Sequence, residues 1–232
     1  MQKHYVRTLF DSIAYRYDLV NHLLSGGIDL YWRRRAIHHL DSLQPGAILD
    51  VATGTADFAL AALRLRPDRI VGVDIAEEML RHGRMKIAQR DAAAVITLTT
   101  GDAEHLAFTD ASFDAAIVAF GVRNFEDLRT GLGEMYRVLR PGGKIVVLEF
   151  SRPARFPFRQ LYLFYFLTVL PLIGRIISRN AEAYRYLPDT VMAFPDGAAF
   201  MEILTETGFT AVSQERLTFG IATVYTGGKP AR

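Results

Sequence analysis

The chain has 232 residues, half of them hydrophobic, with 27 Lys and Arg against 25 Asp and Glu, for a formal net charge of +2. That length and apolar content fit one domain with a full core and exclude disorder as the main state. The near balance of charge gives no reason to expect nucleic acid as a partner. The absence of cysteine excludes disulfides, thiolate metal sites, iron–sulfur clusters and thiol nucleophiles.

The first 18 residues carry Arg7, Asp11, Arg16 and Asp18 where a signal peptide needs an unbroken apolar stretch. A cytoplasmic protein is expected. Val6, Leu9, Phe10, Ile13 and Tyr17 recur at helical spacing and predict an amphipathic first helix. Ser25-Gly26-Gly27 ends it, and a second helix over 30–43 buries Trp32, Ala36, Ile37 and Leu40. Residues 1–44 thus form a helical cap ahead of the first strand at 47–52. Further strands are predicted at 70–74, 95–100, 113–120, 144–150, 210–217 and 221–226, with helices over 57–65, 76–89, 126–139 and 195–207. Near-continuous apolar strands alternating with helices predict a single α/β domain with a mostly parallel sheet covered on both faces. The last two strands, separated only by 218–220, predict an antiparallel hairpin.

Residues 151–194 interrupt the alternation as an inserted helical element, since 151–188 is far longer than an ordinary connection. From Gln160 to Gly174 fifteen residues carry no charge, short of the roughly 20 needed to span a bilayer. No acid stands between Glu149 and Glu182, whereas Arg152, Arg155, Arg159, Arg175 and Arg179 do. One reading is contact with an anionic membrane surface, each arginine contributing about 1 kcal/mol near the headgroups. The other is a lid buried in the protein or a dimer interface, its arginines paired with acids elsewhere. A homo-oligomer stays open.

The first strand runs into ILDVATGTADFAL at 48–60, a small-residue turn that lets a ligand lie against the backbone before a helix begins. Asp74 follows Asp50 by 24 residues, and an acid ending the second strand can accept from two ribose hydroxyls. The turn lacks the GxGxxG of dinucleotide enzymes, and Asp57 would repel a phosphate. Asp50 and Asp57 instead suit the ammonium and sulfonium charges of a cationic nucleoside. Asp102, at the third strand's end, is placed to accept from the adenine amino group, or is plain Gly-Asp turn chemistry. The six histidines show no metal-ligand spacing, so no metal is expected.

The segments FDSIAYRYDLVNHLLSGGIDLYWRR, DVATGTADFA, AFGVRNFED, RVLRPGGKIVVLEFSRP and FGIATVYTGGKP, spread over the whole chain, resemble the UbiE/MenG family of quinone-biosynthesis C-methyltransferases. The resemblance implies a class I S-adenosylmethionine methyltransferase fold, Rossmann-like, with a seven-stranded sheet, an antiparallel last strand and an apolar helical lid. It implies methylation of a ring carbon on a polyprenylated quinol, demethylmenaquinol in one branch and a methoxy-benzoquinol in the other. Such a substrate, with the apolar insertion and its arginines, sets the expectation of a peripheral protein at the inner face of the cytoplasmic membrane. Thr55, Asp74, Asp102 and Ala103 would be cofactor contacts, alongside Asp50 and Gly54 of the first turn. Ala56 departs from the usual glycine, with a tighter pocket expected, and Ala119 stands where some relatives carry serine.

Ring methylation requires stabilised phenolate charge and excluded water. Arg123 and Asn124 follow the fourth strand at the sheet's C-terminal edge. Arg123 either holds a phenolate as an electrostatic partner, being too weak a base to take a proton, or caps the loop or pairs with Glu126 or Asp127. Tyr17 and Asn21 share a face of the first helix, and with Asp18 they form a substrate lid or are helix-end caps. Two rival readings remain: a nicotinamide-dependent quinone oxidoreductase, and a non-catalytic quinone-binding protein keeping the fold.

Overall fold

The computed structural model describes residues 3–25, 27–153, 156–164, 168 and 181–231. Helices α1 (Lys3–Ser25) and α2 (Ile28–His38) precede β1 (Ala47–Val51). There follow α3 (Asp57–Ala62), β2 (Arg69–Asp74), α4 (Glu77–Gln89), β3 (Ile96–Thr100), β4 (Phe113–Ala119), α5 (Leu128–Val138) and β5 (Leu139–Phe150). After α6 (Phe158–Phe164), α7 (Ala181–Ala193) and α8 (Ala198–Glu206) come β6 (Thr210–Leu217) and β7 (Ala222–Gly228).

The seven strands form one sheet in the order β3-β2-β1-β4-β5-β7-β6. Pairings from β3 through β5 are parallel, and β7 runs antiparallel to both β5 and β6. Every residue of β1 is buried, because its side chains feed two cores. Ile48 packs with Trp32, Ile37 and Phe58 on one face. Ala47, Leu49 and Val51 pack with Leu132, Met135 and Phe200 on the other. Helices α2 and α3 therefore cover one face and α5 and α8 the opposite one. Fully burying an aliphatic side chain contributes about 1.5–3 kcal/mol, so neither layer is dispensable.

The predicted second helix is shorter than its periodicity suggested. It ends at His38, and the chain continues in turns such as Leu40 N–H to Ile37 O (2.9 Å) and Leu43 N–H to Leu40 O (3.0 Å), which keep Leu40 in the core. The fifth strand begins at Leu139 rather than at 144, because the RPGG segment is a bulge inside it and not a turn before it. Gly142 there has φ 81°, and a Cβ on Gly143 would stand 2.8 Å from Arg140 O and 2.9 Å from Asp114 O. The centre of the predicted apolar insertion, with Arg155, Arg175 and Arg179, lies outside the described residues. Of its remaining arginines, Arg152 pairs with Asp196 at 2.6 Å and Arg159 is exposed.

Strand order reverses between β1 and β4, and α/β sheets bind ligands at the carboxyl ends of strands on either side of such a reversal. The chain places its cavity there.

Candidate functional site

A cavity of about 680 Å³, counting its open mouth, lies at the C-terminal rim of β1–β4. Gly54 comes to its wall from the turn after β1, Asp74 from the end of β2, Asp102 and Ala103 from the end of β3, and Asn124 from the turn after β4. Five of the predicted site residues thus meet at one surface.

Asp74 is fixed by the backbone of its own neighbourhood. Gly54 N–H donates to Oδ2 at 2.8 Å and Ala76 N–H to Oδ1 at 2.9 Å. Burial pushes its carboxyl above the usual range, although these backbone donors pull it back. Each oxygen accepts a backbone donor, and a carboxylate oxygen can accept more than one, as two vicinal hydroxyls require.

Asp102 has partners the sequence did not suggest. Burial acts to raise its pKa, yet Lys3 at 2.7 Å, the Glu104 N–H at 2.9 Å and His105 together hold it below the usual range. Lys3 also reaches Glu104 at 2.9 Å, and Glu104 accepts from Glu126 N–H at 2.7 Å, tying the β3 rim to the segment after Asn124. Helix α1 is therefore a wall of the cavity, with Lys3, Val6 and Phe10 facing it. It is docked by Asp11, whose Oδ1 accepts Glu78 N–H at 3.1 Å, and by Ala14 packing with Met79.

Asp50 lies below the wall. It is 1% exposed, Thr53 Oγ1 donates to Oδ2 at 2.6 Å, and Oδ1 has no hydrogen-bond partner. Burial pushes its pKa up to about 7, against the pull of Thr53, Ala59 N–H and Arg33. Asp57, expected to offer negative charge to the ligand, is bonded by Lys86 instead. Thr55 is buried and accepts from the same ammonium at 3.1 Å, off the cavity wall.

The turn itself is strained. Ala52 and Ala56 have φ of 52° and 67°, and Phe120 after β4 has 57°, a region costing a non-glycine residue about 1–2 kcal/mol. Ala56 does not tighten the pocket as expected. Its methyl faces Gly83, whose built Cβ would lie 3.4 Å away, and the cost of replacing glycine is conformational. Ala119 does line the cavity.

Arg123 does not face the cavity. It is buried against Glu149, Nη1 to Oε1 at 2.7 Å, and donates to Phe120 O at 2.5 Å, with Phe150 beneath its guanidinium at 5.5 Å. Neither Glu126 nor Asp127 pairs with it. Glu149 is pushed above the usual carboxylate range by burial and pulled back by Arg123. The Nε of Arg123 has no partner. Asn124 is held from the insertion: Tyr186 of α7 donates to its Oδ1 at 2.8 Å, and that ring meets Tyr5 and Phe10 of α1. Tyr17, Asp18 and Asn21 are carried by α1, and their side chains lie outside the described residues.

Sequence reasoning missed Lys3, Glu104, Glu149 and Tyr186. Only Glu149 had a signal of its own, a lone acid in the apolar run of β5.

The carboxylate oxygens of Asp74, an unpartnered Asp50 oxygen and a small-residue wall fit a nucleoside bearing a ribose and an ammonium. The model of the ubiE/COQ5 methyltransferase family matches residues 1–229. A demethylmenaquinone methyltransferase of Bacteroides fragilis is 48% identical over 225 residues, covering 97% of this chain and 92% of that protein. A ubiquinone/menaquinone biosynthesis C-methyltransferase of Geobacter sp. strain M21 is 50% identical over 226 residues, 97% and 96% of the two chains. Among solved structures, a SAM-dependent methyltransferase from Thermotoga maritima superposes with TM-score 0.67 at 20% identity, covering 96% of this chain and 99% of its own. A Haemonchus contortus phosphoethanolamine N-methyltransferase bound to S-adenosyl-L-methionine gives 0.56 at 16% identity, over 79% of this chain and 48% of its own. These last two speak for the fold alone.

Proposed function

The chain belongs to the ubiE/COQ5 methyltransferase family, and we propose that it methylates a ring carbon of a polyprenylated quinol, converting demethylmenaquinol to menaquinol. S-adenosylmethionine supplies an electrophilic methyl on a sulfonium, whose sulfur leaves as a neutral thioether. The observation that carries the reading is the convergence of Gly54, Asp74, Asp102, Ala103 and Asn124 on one cavity at the sheet's reversal point.

Each residue has a task that its position supports. Asp74 accepts the ribose hydroxyls, and Asp102, with Ala103 beside it, faces the adenine edge. Gly54 lets the nucleoside lie on the backbone. Thr55 acts through the turn it stabilises, and Asp50 answers the ammonium. Asn124, steadied by Tyr186, orients the ring. Arg123 stands behind the cavity wall, one residue from Asn124, and we assign it the positive charge that favours the developing phenolate through the segment it fixes. Its pair with Glu149 fixes the guanidinium in place, which is the preorganisation such stabilisation needs. To Tyr17, Asp18 and Asn21 of α1 we assign the substrate side, on the family resemblance. With the methyl donor bound, the carbon–carbon bond would form at the expense of the sulfur–methyl bond, and the ring proton would pass to bulk solvent as aromaticity returns.

A lipid-tailed substrate must be met at a membrane or in an apolar channel. Phe156 is 79% and Phe219 68% exposed, Phe219 stacks on Phe158 at 4.0 Å, and Arg159 lies on the same exposed helix. This supports peripheral docking of the 151–194 insertion, as a lid, on the anionic inner face of the cytoplasmic membrane. Among the described residues no helix is long and apolar enough to cross one. Sedimentation with anionic liposomes is expected at low salt and to weaken at high salt; indifference to both lipid and salt removes the docking proposal.

The decisive experiment incubates the protein with methyl-labelled S-adenosylmethionine and each reduced quinol in turn. Label on the naphthoquinol ring carbon is expected. Label on oxygen, or none on either ring, overturns the reading. Label on the methoxy-benzoquinol as well extends it to the second branch named for the Geobacter relative.

A further inference from the structure

Beneath the β1–β4 side of the cavity two buried groups of opposite charge each keep one atom without a partner. Asp50 Oδ1 is one. The other is Nε of Arg33 on α2, whose side chain is 9% exposed and whose Nη1 is bonded to Asp29 at 2.7 Å. The Arg33 guanidinium lies 5.4 Å from the centre of the Phe120 ring, and Phe120 is a cavity wall. Asp50 stands two residues before Ala52, another piece of that wall. The two charges feel one another, since Arg33 pulls against the burial that raises Asp50.

Leaving a buried polar atom unbonded is costly. Two of opposite polarity beside one cavity describe a ligand that brings both an anion and a cation. The rim runs β3, β2, β1, β4, so with Asp102 at the adenine and Asp74 at the ribose, the next stretch takes the nucleoside's amino-acid tail. That tail is a zwitterion. Resting on the proposed reading of the cavity, we infer that Arg33 is the clamp for the cofactor's carboxylate, working as a pair with Asp50 at its ammonium. Asp29 has a defined part: it holds Nη1 and so fixes which edge of the guanidinium is left to donate. Phe120, held at φ 57°, sets an aromatic ring beside the cation, within cation–π range.

The test uses ligands that drop one end of the zwitterion at a time. Binding to the full chain is measured by calorimetry with S-adenosylhomocysteine, its decarboxylated analogue and 5′-methylthioadenosine, which lacks the amino acid altogether. Charge-assisted hydrogen bonds of this kind are worth about tenfold to a hundredfold in affinity. The wild-type chain is expected to lose that factor on removal of the carboxylate. Arg33→Lys, which keeps a cation beside Asp29 but has no Nε, should bind S-adenosylhomocysteine about tenfold more weakly and both other ligands within twofold of wild type. Arg33→Met should do so more strongly, with thermal melting as the check that it folds. Asp50→Asn should weaken the first two ligands and spare the third. Equal losses for all three ligands in Arg33→Lys, or none, overturn the inference while leaving the cavity's assignment intact. A wild-type chain that binds none of the three overturns both.

Discussion

Asp50 sets up a conflict between stability and binding that can be measured without any substrate. In the free protein its pKa rises from 3.8 to about 7 because burial disfavours the charged form. A group raised in the folded state contributes its full stability below the unfolded value and loses it as pH rises through the folded one. Ionising Asp50 at pH 8 therefore costs roughly 4 kcal/mol, about three pH units at about 1.4 kcal/mol each. Asp50→Asn removes that charge and keeps an acceptor for Thr53. It also places an amide N–H₂ where Oδ1 now has no partner, at about 1–3 kcal/mol. The variant should thus be about 1–3 kcal/mol more stable than wild type at pH 8, roughly 2–12 °C in melting temperature for a chain of this size, and no more stable at pH 4. Urea titrations at several pH values, without ligand, give the difference curve. Asp74 and Glu149 are also raised by burial, and they cancel between the two proteins. Saturating S-adenosylhomocysteine should reverse the order, since a ligand stabilises in proportion to how well it is bound. A stability difference independent of pH between 4 and 8 refutes the reasoning.

Arg123→Met leaves Glu149 buried without its counter-ion and should lower stability by about 3–5 kcal/mol, read by urea unfolding, with Glu149→Gln added to it restoring part of the loss. Arg123→Lys keeps a cation beside Glu149 but not the guanidinium that also ties it to Phe120 O; turnover should fall while calorimetric affinity for S-adenosylhomocysteine stays within about twofold of wild type. Asp74→Asn should weaken S-adenosylhomocysteine and 5′-methylthioadenosine alike, about tenfold or more, because both carry the ribose. Gly121→Ala puts a Cβ 2.6 Å from that of Ala52 at the cavity wall, so stability should drop by about 1–3 kcal/mol and nucleoside affinity with it.

What the sequence disclosed was whatever depends on short range. The central strands β1, β2, β4 and β5 were legible because each holds a compact apolar run, and Asp74 and Asp102 because an acid at a strand's end needs only its own strand to be placed. The partners were not legible. Lys3 meets Asp102 across 99 residues, and nothing in the opening helix marks that one lysine. Arg123 stood next to Glu126 and Asp127 in the chain, yet its partner comes from the neighbouring strand β5, in register with β4 from Ala115↔Lys144 to Ala119↔Leu148. Asp127 was already committed to capping α5, accepting Arg129 N–H at 2.9 Å and Thr130 N–H at 3.1 Å. Helix α2 ended before its apolar period did, because turns with i→i+3 bonds carry Leu40 to the same core.

The docking of α1 carries a practical warning for anyone handling the molecule. Lys3 lines the cavity and bridges Asp102 and Glu104, so whatever is fused ahead of it emerges beside the proposed nucleoside site. A histidine tag there would bring imidazoles within reach of Asp102 and Glu104, and could mimic or mask a binding defect. Tags belong at the opposite terminus, past Lys229, whose ammonium is moored to the carbonyls of Tyr136 and Leu139 on the far side of the sheet from Trp32.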